Sequence, residues 1–432
     1  MKVLYDISIL GQGYINPKAR TGVFRVVEAL MLHLLQCHNL EMDLAAFNQD
    51  SNILDQISSY LYLKELDNDF RSNLINVYHS SLKLDWLYRS TIEIQALLIQ
   101  KSASNDFTYK LSRIVDRLTT ILAKQETKLH SYEKLSQVDI YHSLYFPFAD
   151  YNFPKAQRVL MIYDLIPILF EEWVTQRVHQ RFLRTIASID LNRDWITCIS
   201  EQTKRDFCNH TKMNPDRVFV TPLAASSNFY PVENQAIIDA TLSRYQINRA
   251  PYFLSLCTIE PRKNLSLLIR CFTKMIAENP HLDVNLVLVG VSGWKNQAIF
   301  AEAEVNSQLK SRIIFTGYVP DHDLSAIYSG ALGFVYPSLY EGFGLPPLEA
   351  MQCGTPVITS NTSSIPEVVG DAGIMINPKI EDDLCQALWQ MLNDDGLRKS
   401  LSAKGLHRAS NFSWHKCATE TMAVYEIAQD AT

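Results

Sequence analysis

The chain has 432 residues, 47% of them hydrophobic and 20% charged, which is long enough for two cores and ordinary for a soluble globular protein. A formal net charge of −6 argues against a general nucleic-acid binder, so any anionic ligand must meet a local basic site. Eight cysteines without a CxxC pair suggest neither a zinc site nor a disulfide framework, and a reducing cytosol is the expected home.

The opening "MKVLYDISIL" carries a lysine and an aspartate inside what would have to be an apolar signal core, so it reads as a first β-strand. No later run approaches the length of a membrane span. From about Asn52 to Lys134 the sequence has few glycines or prolines and repeats Leu, Ile and Tyr at helical spacing, as in "FTYKLSRIVDRLTTILAKQ". This reads as a helical insertion in the first domain, either packing on that domain or serving a partner, an acceptor or a membrane surface. Apolar runs then alternate with turns through "VDIYHSLYFPF", "RVLMIYDLIPILF" and "DWITCISE", and the rhythm restarts at "PYFLSLCTIE". The pattern predicts an α/β protein: two Rossmann-like parallel-sheet domains facing across a cleft, the first over residues 1–235 and the second over 236–410. Residues 411–432 are expected to form a helix packing back on the first domain.

The richest stretch is "YEGFGLPPLEAMQCGTPVITS", Tyr340 to Ser360. It parses into a loop carrying Glu341, a helix opened by Pro346 or Pro347, and a stop at Gly354. Glu349 falls near the helix N-terminus, where the dipole favours an ionised carboxylate, and two acceptor oxygens suit a ribose 2′,3′-diol. Glu341, at the sheet edge, faces the same crevice and could hold hydroxyls of a second sugar. Gly342 and Gly344, with Phe343 and Leu345, let the backbone approach a ligand. In "TIEPRKNL", Arg262 and Lys263 sit on an expected exposed loop beside a helix start near Asn264, a natural site for a diphosphate. Further loops follow strands at Gly290, Ser292 and Gly293, and at Gly317, Tyr318 and Val319. His142 and Asp164 stand at strand ends in "YHSLYFPF" and "IYDLIP", and Ser200 ends a strand where it either caps the next helix or faces the acceptor.

The block from Glu341 to Glu349, with "GFGLPPLEAM", "GTPVI" and "SSIPEVVGDAG" in register, resembles the retaining glycosyltransferases called family 4, which have the two-domain GT-B fold. The resemblance is strong over the second domain and loose over the first. It implies that Glu341 contacts the donor sugar, that Glu349 contacts the nucleotide ribose, and that the loops at Gly290, Gly293, Tyr318 and Val319 surround the base. It places Gly22 against the donor phosphates, with Arg25 on the following helix; where the family often has a Gly-Arg pair at the strand end this chain has Cys257 and Thr258, and Arg262 is the expected substitute for the missing guanidinium, as in a subgroup with an "EPRKN"-like motif. A subgroup has histidines where Tyr145 and Tyr163 stand, so no catalytic histidine is carried over from the resemblance; His142 and Asp164, at their strand ends, are the catalytic candidates in the first domain, with Tyr145 and Ser200 on the acceptor side. The implied activity is metal-independent transfer from a nucleotide-diphosphate sugar, a co-substrate rather than a cofactor, to a glycan or lipid-linked glycan, without nucleic acid. A lipid-linked acceptor would put the chain at the inner face of a membrane. A GT-B epimerase or phosphorylase and a non-catalytic binding scaffold are the alternatives.

Overall fold

Runs such as Phe253-Leu254 and Val287-Leu288, apolar on both faces, can only be strands covered by helices on either side, and the computed structural model shows two such sheets. It describes residues 1–16, 20, 22–47, 53–66, 73–75, 78–80, 85–100, 107–129, 135–149, 153, 155–305 and 309–431. The ends of the expected insertion, Asn52 and Lys134, lie outside these.

The first domain begins with β1 (Lys2–Asp6), α1 (Leu10–Ile15), α2 (Val23–Leu34) and β2 (Glu41–Ala45). The insertion follows as α3 (Ile53–Leu66), β3 (Tyr78–Ser80), α4 (Asp85–Gln100), α5 (Phe107–Glu126) and β4 (Thr127–Leu129), with β3 and β4 pairing antiparallel. Then come β5 (Ile140–Ser143), β6 (Gln157–Ile162), α6 (Ile166–Leu169), α7 (Gln176–Ala187), β7 (Trp195–Cys198), α8 (Glu201–Thr211) and β8 (Val218–Val220). The sheet order is β2-β1-β5-β6-β7-β8, all parallel. The insertion closes a small core of its own from Ile53, Ile57, Leu61, Tyr88, Ile92 and Ala123, packed on Tyr14 and Ile15 of α1.

The second domain runs α9 (Gln235–Arg244), β9 (Tyr252–Leu256), α10 (Leu265–Glu278), β10 (Asn285–Val289), α11 (Gln297–Glu304), β11 (Ile313–Gly317) and α12 (Asp321–Ser329). It continues with β12 (Gly333–Tyr336), α13 (Leu345–Gln352), β13 (Val357–Ser360), α14 (Ile365–Val369), β14 (Gly373–Ile376), α15 (Glu381–Asn393) and α16 (Asp395–Ala409). Its parallel order, β11-β10-β9-β12-β13-β14, reverses between β9 and β12, and a crevice opens beyond the strand ends at such a switch point. The loops carrying Arg262 and Glu341 leave these two strands. The last helix, α17 (Trp414–Asp430), returns to the first domain and packs on α2 and on β5 to β7.

Two ties draw the domains together. Ser200 caps α8 and also donates 2.7 Å to the carbonyl of Gly342. The N–H groups of Glu201 and Gln202 donate, each at 2.7 Å, to the Glu367 carboxylate, a favourable charge for a helix N-terminus.

Candidate active site

Between the sheets lies a cavity of about 400 Å³ whose second-domain wall carries Arg262, Lys263, Gly290, Tyr318, Val319 and the run Glu341 to Pro346, with Glu349 deeper. Gly22, Arg25, Tyr163 and Asp164 form the facing wall. The expected donor residues therefore converge, Gly293 excepted. Its N–H is tied to the Ile259 carbonyl, so it braces the neighbouring loop and does not line the cavity.

The backbone allows this because two approaches are open only to glycine. A Cβ on Gly290 (φ +143°) would fall 1.8 Å from the Cys257 carbonyl oxygen, and one on Gly342 would fall 2.1 Å from the carbonyl oxygen of Tyr163 in the other domain. Gly342 thus marks where the domains touch.

Glu341 is the centre of the polar cluster. Lys263 donates to its Oε1 at 2.6 Å, Ser338 at 2.6 Å and Tyr336 at 2.9 Å, while the Arg262 guanidinium lies 2.8 Å from Oε2. Burial pushes this carboxyl up, but the Arg262 and Lys263 charges outweigh burial and hold it at about 2. Arg262 also donates to Glu260 and to the Tyr340 carbonyl, both at 2.7 Å. The expectation of an exposed cation loop is corrected. Arg262 and Lys263 occupy a single tight turn, Pro261–Lys263, with side chains only 16% and 10% exposed, because each has a buried carboxylate partner.

Glu349 differs. It is the fifth residue of α13, beyond the first turn, and burial pushes its carboxyl up while Arg25 partly counters this. The expected dipole stabilisation is outweighed by desolvation. Arg25 reaches across from α2 to lie 3.2 Å from Glu349 and 2.5 Å from Asp321, and the Tyr328 hydroxyl donates to Glu349 at 3.1 Å.

A second cavity of about 340 Å³ adjoins the first and shares Val23, Tyr163, Asp164 and Arg262 with it. Tyr145, Trp173, Arg181, Glu260 and Trp294 line the rest. The Arg181 guanidinium lies over the Tyr145 ring and bonds its hydroxyl. Lys295, stacked on Trp294, reaches the Glu172 carbonyl of the first domain. Asp164 stands at the junction. Burial raises its carboxyl, Arg262 opposes this, and its Oδ1 accepts from the Ile166 N–H at 2.9 Å.

Two candidates are placed elsewhere. His142 lies within β5, fully buried, with Nδ1 2.6 Å from the Tyr425 hydroxyl of α17, and burial lowers its pKa to about 3. It belongs to the packing beneath α17, not to the cleft. Ser200 is buried and committed to Gly342 and to capping α8, so it binds the domains together and does not face an acceptor. Sequence reading missed Tyr336 and Ser338, which hold Glu341, and Trp173, Arg181 and Trp294. Trp173 lies on the polar connection between α6 and α7, and Trp294 on that between β10 and α11, where a large aromatic needs a reason, and that signal was available.

The chain is 38% identical over 232 residues to O-antigen chain mannosyltransferase B of Escherichia coli, covering 54% of this chain and 60% of that protein. It is 34% identical over 270 residues to the serotype-specific mannosyltransferase WbdA of Escherichia coli, covering 61% of this chain and 32% of that protein. The chain therefore spans less than two thirds of the length of either relative. Among solved structures, sucrose-phosphate synthase from Thermosynechococcus elongatus superposes with a TM-score of 0.61 at 18% identity, over 100% of this chain and 99% of that one. Alr3699/HepE of Anabaena, in complex with UDP and glucose, does so with 0.61 at 15%, over 98% of each. The fold is GT-B, and residues 242–408 match the family described as Glycosyl transferases group 1.

Proposed function

We propose that the chain is a retaining, metal-independent glycosyltransferase that moves a hexosyl group, mannose first among the candidates, from a nucleotide-diphosphate sugar to a glycan acceptor in polysaccharide synthesis. The observation that carries this reading is the convergence of Arg262, Lys263, Glu341 and Glu349 on one cavity at the strand ends. The mannosyltransferase names of the relatives support the sugar.

In this reading Arg262 and Lys263, held in place by Glu341, meet the diphosphate and take over the charge neutralisation that a metal supplies in other transferases. Among its described contacts, Glu341 Oε2 accepts from Arg262 alone, leaving it capacity for a donor-sugar hydroxyl. Glu349 takes the ribose diol, and Gly290, Tyr318 and Val319 flank the base. The adjoining cavity takes the acceptor, since tryptophan and tyrosine faces suit the C–H face of a pyranose and Arg181 suits its hydroxyls. The bond from the anomeric carbon to the phosphate oxygen breaks with its electron pair leaving on the nucleoside diphosphate. The acceptor oxygen bonds to that carbon on the same face, and its proton passes to the departing phosphate. Asp164, between the cavities, positions the acceptor hydroxyl.

A thermal-shift panel of nucleoside-diphosphate mannose and glucose donors tests this, because a ligand of the folded state alone raises the melting temperature. The expected result is a rise with one donor, absent in Glu349→Ala. No rise with any donor at saturating concentration overturns the reading.

A further inference from the structure

Helix α5 shows a second apolar face that the fold does not use. Ala123 is fully buried in the core of the insertion, and Ser112 is fully buried as well. Leu111, Ile114, Leu118 and Ile121, spaced three, four and three residues apart, form a separate stripe on the outside, with Ile114 56% and Leu118 64% exposed. On α4, Trp86, Ile94 and Leu97 are exposed too, Trp86 at 68%. Isolated exposed apolar side chains are normal, but a periodic run on one helix, with further exposed apolar residues on the helix packed against it, marks a candidate docking surface.

The neighbouring charges say what docks there. The row one residue before the stripe is Lys110, Arg113 and Arg117, all exposed. The spacing of the stripe would suit another helix, as in a coiled coil. A second copy packed antiparallel would then bring Lys110 and Arg117 against like charges, because in that arrangement these flanking positions meet each other across the seam. An anionic lipid surface satisfies both rows at once: the stripe enters the acyl boundary while the cations meet lipid phosphates. Among the described side chains, the charges exposed on α4, Arg89 and Glu93, cancel. Among the described residues, no helix is long and apolar enough to cross a membrane, so the contact is one of lying on the surface.

We propose that the α4–α5 hairpin is a membrane-docking element, with α5 lying in the plane of an anionic bilayer surface. Because α3 of the same insertion packs on α1, just before the Gly22 loop, docking would hold the first-domain side of the cleft close to that surface. The proposal does not depend on the transferase reading.

The experiment is flotation of the full chain with vesicles of phosphatidylglycerol mixed with phosphatidylcholine, against phosphatidylcholine alone. The intact chain should float with the anionic vesicles and lose most of this in high salt. Neutralisation of Lys110, Arg113 and Arg117 to glutamine should weaken binding by roughly a hundredfold, at about one factor of five per cation. The pair Ile114→Asp and Leu118→Asp should abolish it. Both variants alter exposed side chains, and circular dichroism confirms that they fold. Failure of the intact chain to float, or floating unchanged by both variants, overturns the proposal. So does a concentration-dependent dimer, seen by light scattering, that the aspartate pair dissolves, because the stripe would then be an interface between copies.

Discussion

Strands β12 and β5 both flank the switch point of their sheet, and each is associated with a titratable side chain of suggestive type, but the two side chains live differently. His142 lies inside β5, so its side chain enters a layer already covered by α17, where burial strips it of charge and Tyr425 takes its Nδ1. Glu341 lies five residues beyond the end of β12, in a loop past the sheet edge, where it too is buried yet kept ionised by two cations. Burial alone therefore says nothing about function. The position relative to the strand end, and whether a partner accompanies the charge, decide whether a buried ionisable group belongs to a core or to a site.

The sharpest way to break that contrast is to remove a partner. Arg262→Ala leaves Glu341 with Lys263 as its one remaining cation and Glu260 without its arginine, and breaking a buried pair on one side costs on the order of 3–5 kcal/mol. Chemical denaturation should show a loss of that size, together with loss of donor binding. A variant as stable as the parent would show that the cluster is solvated and the cations are idle.

Glu349→Gln should act on ligand more than on fold. Its carboxyl is already pushed up by burial, so neutralising it relieves desolvation while leaving Arg25 its Asp321 partner. Losing a charged hydrogen bond to a ribose hydroxyl costs about 1.5–3 kcal/mol, a weakening of roughly tenfold to a hundredfold in nucleotide affinity by titration calorimetry. Unchanged affinity would remove Glu349 from the nucleotide site.

These two expectations rest on residues that the sequence made legible. Glu341, Glu349, the intervening glycines and the Arg-Lys pair sit in one short block and one short loop, and their types constrain each other: turn glycines, helix-opening prolines and a strand on either side. The parallel sheets were equally plain, because strands buried on both faces leave continuous apolar runs. What could not be read was pairing across the chain. Nothing local says that Lys263 and Arg262 would be buried by Glu341, 78 residues away for Lys263, or that Arg25 would reach Glu349 across 324. His142 misled for the same reason. A histidine at the end of an apolar run looks alike whether the facing element is a ligand or, as here, a helix from the far end of the chain.

The pH response separates His142 from the cleft. Unfolded, its imidazole titrates near 6.5, whereas the folded group titrates at about 3 because burial disfavours the cation. Between those values the unfolded state binds more protons, so stability falls as pH drops below 6.5, by about 2 kcal/mol at pH 5 from this group. Replacing His142→Phe keeps a ring in place and should flatten that part of the stability profile, even if the unpaired Tyr425 hydroxyl lowers stability at neutral pH. Parallel profiles for the two proteins between pH 6.5 and 5 would mean that His142 reaches solvent in the folded state.

The smallest effect should come from the tie between the domains. Glu367 is 28% exposed on its side chain and accepts from the first two N–H groups of α8, an arrangement worth about 1 kcal/mol or less at a helix N-terminus. Glu367→Gln keeps the shape and one acceptor but removes the charge, so denaturation should barely register it. Closure is another matter, because the same tie flanks the Ser200–Gly342 contact that sets the width of the cleft. With the tie weakened, the open arrangement gains population, and affinity falls by the fraction of molecules that remain closed. Small-angle scattering should therefore show a larger radius of gyration for Glu367→Gln without ligand, returning to the parental value with saturating donor. A radius identical to that of the parent in both conditions would mean that the other contacts between the domains, Ser200 with Gly342 and Arg25 with Glu349 among them, hold the closed arrangement without Glu367, and that α8 gains only a capped N-terminus from it.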